Sequence, residues 1–331
     1  MSLLIRIREF LSRLFRRKPP EPGRFEQGSK FSLSGWISVA PWVWPSRDYL
    51  VYVPRGYSPW RRRPMLVLLH GCKQTPEELA AATRITALAD AQGWLVLLPR
   101  QKETANGWRC WNWFDERTAS GRGEAAIIAA QVRTVRRAYR VHPRRIFVAG
   151  MSAGGCLAAV LGLRFARMFA GVGVHSGVAC GAASTPLKAL QILASGADTP
   201  VEQIASAARE NASRRALPLP VCVIHGGSDR VVAPRNAIEL LRQYLVFDGR
   251  TPAGTVAELP PADASDSTVL EGGRTMTIDD YRVDGRLVAR LVRIPALGHA
   301  WSGGDSAYAY NDPLPPDATA LFAAFFTTAL R

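Results

Sequence analysis

The run Gly150-Met151-Ser152-Ala153-Gly154 sets a serine between small neighbours in the pattern G-x-S-x-G. The residues before it, RRIFVA, read as a buried strand, and those after it, AGGCLAAVLGLRFA, as a helix. A serine on a sharp strand-to-helix turn stands out above the sheet edge, and only small residues fit beside it. Gly150, Ala153, Gly154 and Gly155 meet that demand. Such a serine can attack an acyl carbon once a base takes its proton.

The expected base is a histidine held by a carboxylate, in the chain order serine, acid, histidine. Only His299 falls late enough, in the loop Gly298-His299-Ala300-Trp301 after the last strand-like run. His70, His175 and His225 end apolar runs, and His142 begins one. Asp229 follows the apolar run VCVI, a strand-end position from which it would accept the imidazole N–H. Asp266, Asp279, Asp280 and Asp284 also satisfy the order, but they lie in a polar stretch without that position. An oxyanion needs two backbone N–H donors, each contributing roughly 2.7–4 kcal/mol. The expected donors are Ala153, next to the serine, and Cys72, in the loop His70-Gly71-Cys72 after the run MLVLLH, a loop that His70 helps to shape. Trp108, Trp111, Trp113 and Phe114 crowd one stretch and Trp301 follows the histidine. Expected substrate contacts are Trp301, Trp111, His70 and Met151, the aromatic ones as an apolar wall.

These residues need a scaffold that alternates strands and helices. MLVLLH (65–70), WLVLLP (94–99), RRIFVAG (144–150), GVGVHSG (171–177), VCVIHGG (221–227) and LVARLVRIP (287–295) are apolar runs, as strands buried on both faces should be. Helical patterns run from Pro76 to about Ala91, from Gly121 to Arg140, from Ala153 to Arg167, from about Pro234 to Phe247 and from about Pro316 to Leu330. The spacing predicts an α/β fold, a mostly parallel central sheet with helices on both faces. GWISVAPWVWPSRDYLVYVP reads as a hairpin turning at Pro45-Ser46. Residues 23–331 read as one domain with insertions at about 181–218, Ala-rich and helical, and 248–285, a β-excursion.

The composition, 47% hydrophobic and 21% charged over 331 residues, excludes a disordered chain, a collagen-like fibre and a disulfide-stapled miniprotein. No apolar stretch reaches the ~18 residues of a membrane span. Of the net charge of +15, +5 falls in residues 1–18, which hold six basic residues and one acid, and the remaining +10 is spread over the rest of the chain. Leu3, Leu4, Ile7, Leu11, Leu14 and Phe15 recur there at helical spacing until Pro19, Pro20 and Pro22 stop the helix. A basic amphipathic segment of this kind, residues 1–22, suits peripheral association with an anionic membrane or a polymer granule. Arginines interrupt its apolar run, so it does not read as a cleavable export signal. No nucleic-acid-binding signature accompanies the charge. Five cysteines with no C-x-x-C pair argue against a zinc site, and no metal or cofactor is expected.

LHGCKQTPEELA, RCWNWFDE, GMSAGG, VGVHSG, HGGSD and GHAWSGG, in that order over residues 35–331, resemble the poly(3-hydroxybutyrate) depolymerase family of α/β-hydrolase esterases. The resemblance implies an α/β-hydrolase fold and a serine esterase using Ser152, Asp229 and His299. It implies kinship with feruloyl and acetylxylan esterases, a disulfide between Cys72 and Cys110, and a small or polymeric ester as substrate. Many members are secreted. The alternatives are a feruloyl- or acetylxylan-type carbohydrate esterase and, in a different class, a non-catalytic surface-binding module.

Overall fold

A computed structural model describes residues 22–197, 201–211, 218–252 and 258–329. The basic amphipathic stretch expected ahead of the prolines lies outside the described residues. Ten strands form one sheet: β1 (Arg24–Phe31), β2 (Ser46–Val53), β3 (Arg63–Leu69), β4 (Leu95–Pro99), β5 (Val141–Met151), β6 (Gly171–His175), β7 (Val221–Gly226), β8 (Ala264–Val269), β9 (Thr275–Val283) and β10 (Arg286–Ile294). Their order is β1-β2-β4-β3-β5-β6-β7-β10-β9-β8. β4, β3, β5, β6, β7 and β10 run parallel. Antiparallel pairs close both edges.

The helices are α1 (Pro76–Ala82), α2 (Ile85–Gln92), α3 (Glu116–Ala119), α4 (Gly123–Ala138), α5 (Ala153–Arg164), α6 (Pro186–Ser195), α7 (Val201–Asn211), α8 (Arg235–Asp248) and α9 (Ala318–Ala329). Alternate residues of β3 feed opposite faces of the sheet. Met65, Val67 and Leu69 join the core under α4, α5 and α8. Leu66 and Leu68 join the core under α1, α2 and α9. The central strands β4, β6 and β7 are buried along their whole length because both faces are covered.

Two local expectations differ from the structure. The hairpin arm that pairs with β2 is Arg24–Phe31, not Gly35–Trp44. Residues 32–45 form a loop instead, because Pro41 and Pro45 have no N–H to give a ladder. Asp115 Oδ2 accepts the N–H groups of Ser38 and Val39 in that loop. Ile37, Ala40 and Val43 bury a small cluster of their own with Ala105. The helix expected from Pro76 to Ala91 is broken after Ala82, with Arg84 in a left-handed conformation. Tertiary bonds take over there. Asp305 N–H donates to the Ala82 carbonyl (2.8 Å) and the Thr319 hydroxyl to the Thr83 carbonyl (2.8 Å).

The stretch 181–218 carries α6 and α7, and the stretch 248–285 carries β8 and β9, which extend the sheet. A short parallel pair, β11 (Trp301–Ser302) and β12 (Asn311–Asp312), lies apart from the sheet after β10. At the middle of the sheet α5 starts almost on top of β3. A Cβ on Gly154 would lie 2.2 Å from the Leu69 carbonyl oxygen and 2.5 Å from that of His70. These are backbone atoms, so the helix would have to move. We predict that Gly154→Ala lowers unfolding free energy by at least ~1–3 kcal/mol in urea titrations, the usual effect of overpacking. Gly107→Ala, where a Cβ meets nothing within 4 Å, should change it by less than ~0.5 kcal/mol.

Candidate active site

Ser152 sits between β5 and α5 with φ 55° and ψ −125°. A positive φ at a non-glycine residue is strained by about 1–3 kcal/mol and persists only where the surroundings enforce it. Two clamps do so here. The Ser152 N–H donates to the His175 carbonyl (2.9 Å), and the Ser152 carbonyl accepts from Cys156 N–H (2.9 Å). Gly150 is needed because a Cβ there would lie 2.5 Å from the carbonyl of Gly154.

Asp229 and His299 meet across 70 residues of chain, with His299 Nδ1 2.8 Å from Asp229 Oδ2. The other carboxylate oxygen accepts from the N–H groups of Val231 (2.9 Å) and Val232 (2.8 Å). Burial pushes the Asp229 carboxyl up, but the His299 bond and charge and these two N–H groups outweigh it and hold it below the ordinary carboxylate range. The ionised carboxylate can only accept, so His299 Nδ1 carries the proton and Nε2 has a free lone pair. The rival aspartates are engaged elsewhere. Asp280 pairs with Arg290 at 2.6 Å and Asp279 with Arg293 at 2.5 Å. Asp266 is exposed on β8, and Asp284 lies in the β9–β10 turn.

Three further histidines surround the site and stay neutral. Burial pushes His175 down to about 3. Burial likewise lowers His225, whose Nε2–H donates to the Val232 carbonyl (2.9 Å). His70 falls to about 4 through burial, against the pull of its bond to Gly71. Gln101 N–H donates to His70 Nε2 (3.2 Å), so Nδ1–H donates to the Gly71 carbonyl (2.8 Å).

That bond shapes the loop after β3. Gln74 Oε1 accepts from Gly71 N–H (2.8 Å), and Lys73 N–H donates to the Trp108 carbonyl (2.6 Å). Cys72 and Cys110 form a disulfide across 38 residues, while Cys156, Cys180 and Cys222 are free and buried. A Cβ on Gly71 would lie 3.6 Å from the Ser152 Cβ, so this loop faces the serine directly. The N–H groups of Cys72 and Ala153 have no acceptor among the described residues. Behind the loop lies a charge cluster that inspection of motifs missed. Arg47 and Glu124, both at most 1% exposed, pair at 2.8 Å. Glu124 also accepts from Gln101 Nε2 (2.6 Å) and from Asn112 N–H (2.7 Å). Gln101 in turn contacts His70, so the pair anchors the loop after β3 and the aromatic loop together.

Ser152 and His299 line one cavity of about 380 Å³. Trp111 and Met151 line it too. Trp301 and His70 do not, which corrects their expected role. Residue 301 opens β11, and its ring turns inward to stack on His175 at 5.2 Å and pack against Phe322, donating Nε1–H to Thr319 (3.1 Å). His70 acts from behind the loop and is fully buried. The cavity wall also includes Lys73 and Gln74, from the run LHGCKQTPEELA, and Asn106, Leu190, Leu193, Val231 and Tyr310, which lie outside the quoted motifs. Leu190 and Leu193 come from α6, so the first insertion roofs one side.

Parallel strands covered by helices on both faces, with a strained serine between strand and helix at the sheet's centre, define an α/β-hydrolase. Residues 47–258 match the family described as Esterase PHB depolymerase, and the chain belongs to that family. A poly(3-hydroxyalkanoate) depolymerase C from Paucimonas lemoignei is 30% identical over 200 residues, which are 60% of this chain and 48% of that protein. A feruloyl esterase B from Neurospora crassa is 30% identical over 188 residues, which are 54% of this chain and 63% of that protein. The chain thus spans less than two thirds of the length of either relative. The solved acetyl xylan esterase from Aspergillus awamori shares the fold, with a TM-score of 0.65 at 20% identity over 83% of this chain and 94% of that one.

Two stability predictions follow from the charges. Removing one member of a buried ion pair typically costs about 3–5 kcal/mol, so Glu124→Ala should lower unfolding free energy by that much. Glu103→Ala, at the exposed pair with Arg109, should change it by less than ~1 kcal/mol. Unfolded histidines take a proton near pH ~6.5, whereas folded His70 and His175 do so only near about 4 and about 3. Stability should therefore fall as pH drops from ~6.5 towards 4, by up to ~1.4 kcal/mol per pH unit per histidine. Asp229 adds the same sign lower down. Its stabilisation is complete above the ordinary carboxylate range and disappears as pH falls through its depressed value. Urea titrations from pH 4 to 8 read this slope, and a flat profile would contradict neutral buried histidines.

Proposed function

We propose that this chain is a carboxylic ester hydrolase acting through an acyl-enzyme on Ser152, with short 3-hydroxyalkanoate esters, polymeric or oligomeric, as substrates. The observation that carries this reading is the shared cavity: Ser152 and His299 in one apolar wall, with His299 hydrogen-bonded to a buried, ionised Asp229. His299 Nε2 takes the serine proton as Oγ attacks the ester carbon. Asp229 stabilises the imidazolium that results. The oxyanion is held by the N–H groups of Cys72 and Ala153. His299 then protonates the departing alcohol oxygen. Water, deprotonated in the same way, attacks the acyl-enzyme and releases the acid and the free serine.

The substrate class rests on family membership and on the depolymerase from Paucimonas lemoignei, together with the apolar lining. The feruloyl esterase relative and the aromatic wall of Trp108 and Trp111 favour a second reading, an aryl-acyl carbohydrate esterase. Both readings share the chemistry and differ in ranking of substrates.

The test is hydrolysis of p-nitrophenyl esters from acetate to octanoate, beside soluble 3-hydroxybutyrate oligomers and methyl ferulate. Wild type should turn over the short esters and oligomers, and Ser152→Ala should lose at least ~10⁴-fold in kcat. Faster turnover of methyl ferulate than of the oligomers would favour the second reading. Equal inactivity of both proteins on every ester would sink the catalytic assignment and favour a surface-binding module.

A further inference from the structure

We infer that the cavity mouth holds a carboxylate-recognition subsite built on Lys73, and that this enzyme prefers esters whose alcohol part is a hydroxy acid with a free carboxylate. The inference rests on the proposed ester hydrolysis and specifies which ester.

Among the described residues, Lys73 is the one Lys or Arg in the cavity wall, and no aspartate or glutamate lines it. Its ammonium lies 5.3 Å from the centroid of the Trp108 ring. Among the described residues it has no carboxylate partner, in contrast to Arg100 and Arg109 nearby, which pair with Glu77 and Glu103. Lys73 and Trp108 are both exposed, so an ammonium held over this indole face stays open to an anion from solvent. The backbone that carries it is pinned. The Lys73 N–H donates to the Trp108 carbonyl (2.6 Å), Cys72 before it is disulfide-bonded, and Gln74 after it is buried and bonded to Gly71.

The position of Lys73 selects the group it meets. It follows directly on Cys72, the proposed oxyanion donor, and lines the same cavity as Ser152 and His299, so a carbonyl held there lies about one residue's length from the root of the lysine. In a 3-hydroxy acid leaving group the carboxylate lies only two carbons beyond the ester oxygen. A flexible four-carbon lysine stem spans such a gap. A neutral alcohol offers this ammonium nothing.

The surroundings carry the same sign. A second cavity of about 550 Å³ shares Gln74 and is lined by Arg100, Lys102 and Arg109 against the single carboxylate of Glu103. Arg100 and Arg109 help to push His70 down, against Glu78, which pushes it up. A positive mouth over an apolar, acid-free chamber fits an ester with a greasy acyl part and an anionic tail.

The experiment compares kcat/KM for a 3-hydroxybutyrate dimer with its terminal carboxylate free and for the same dimer as its methyl ester, within each protein. Wild type should favour the free acid about three- to fivefold at low salt, the scale of an exposed ion pair. That preference should shrink towards unity at high salt. Lys73→Gln should bring the ratio to about one, Lys73→Arg should keep it, and Lys73→Glu should invert it. An unchanged ratio in Lys73→Gln, or a wild-type ratio insensitive to salt, would overturn the subsite. The salt series needs no variant, so a misfolded substitution does not spoil the test. p-Nitrophenyl butyrate separates the two levels: if wild type fails to hydrolyse it, ester hydrolysis and the subsite fall together. If wild type hydrolyses it and the ratio does not respond, only the subsite falls.

Discussion

The absence of a side chain at residue 154 is the constraint on which the site depends. The first turn of α5 lies against the carbonyls of Leu69 and His70, closer than any Cβ allows. That contact brings the end of β3 and the start of α5 within a few ångströms. Cys72 on one side and Ala153 on the other, whose N–H groups have no acceptor among the described residues, line one cavity. The same approach forces Ser152 into its positive φ and holds it there through the bond to His175. Strain at the serine is thus a consequence of helix–strand packing at the centre of the sheet, where strands on both sides resist movement.

Behind the site, charge is distributed so that one proton position stays open. His70, His175 and His225 are kept neutral by burial. Each has a structural hydrogen bond that fixes its ring. The ionised carboxylate bonded to an imidazole here is Asp229, and the imidazole it holds is His299. A second buried charge pair, Arg47–Glu124, is separated from this chemistry by His70 and Gln101. It bonds to loop backbone and amides rather than to any reacting group. Buried ion pairs add little net stability against apolar replacements. This one fixes the relative position of two loops that the hydrophobic core alone would leave free to slide.

The elements legible from sequence were those whose signal is local. The elbow reads from small residues around Ser152 because the close contacts there involve backbone on both sides. Asp229 reads from its place just past an apolar strand, and His299 from its loop after the last strand of the sheet. The errors came where partners lie far along the chain. Trp301 follows the histidine, yet β11 turns its ring into the core against His175, 126 residues earlier in the chain. The β2 partner was misplaced because β1 alternates only weakly between exposed and half-buried positions, while the following loop is rich in tryptophan. Tyr310 and the α6 leucines carry no motif, and the motif around Lys73 does not single it out, since their role comes from the cavity they enclose together. Glu124 looked like an ordinary acid in the first turn of α4; only the fold gives it Arg47, Gln101 and Asn112.

Chemistry and selection are placed on different parts of the molecule. Ser152, Asp229 and the N–H groups of Ala153 and Cys72 sit at ends of strands and helices in the sheet's centre, where close packing leaves no tolerance. The cavity walls come from elsewhere: the aromatic loop before α3, α6 of the first insertion, and the segment holding Tyr310. Changes there alter the shape and charge of the chamber without disturbing the contact at Gly154. This division lets one elbow serve esters of different bulk, and α/β enzymes commonly vary substrate through loops on a fixed scaffold. Lys73 is the exception, because it stands on the loop that carries the Cys72 donor. On the proposed mechanism, a charge one residue from the Cys72 N–H selects its substrate at the reacting bond itself, so the preference it confers is tied to the register of the ester and not to the length of the chain beyond it.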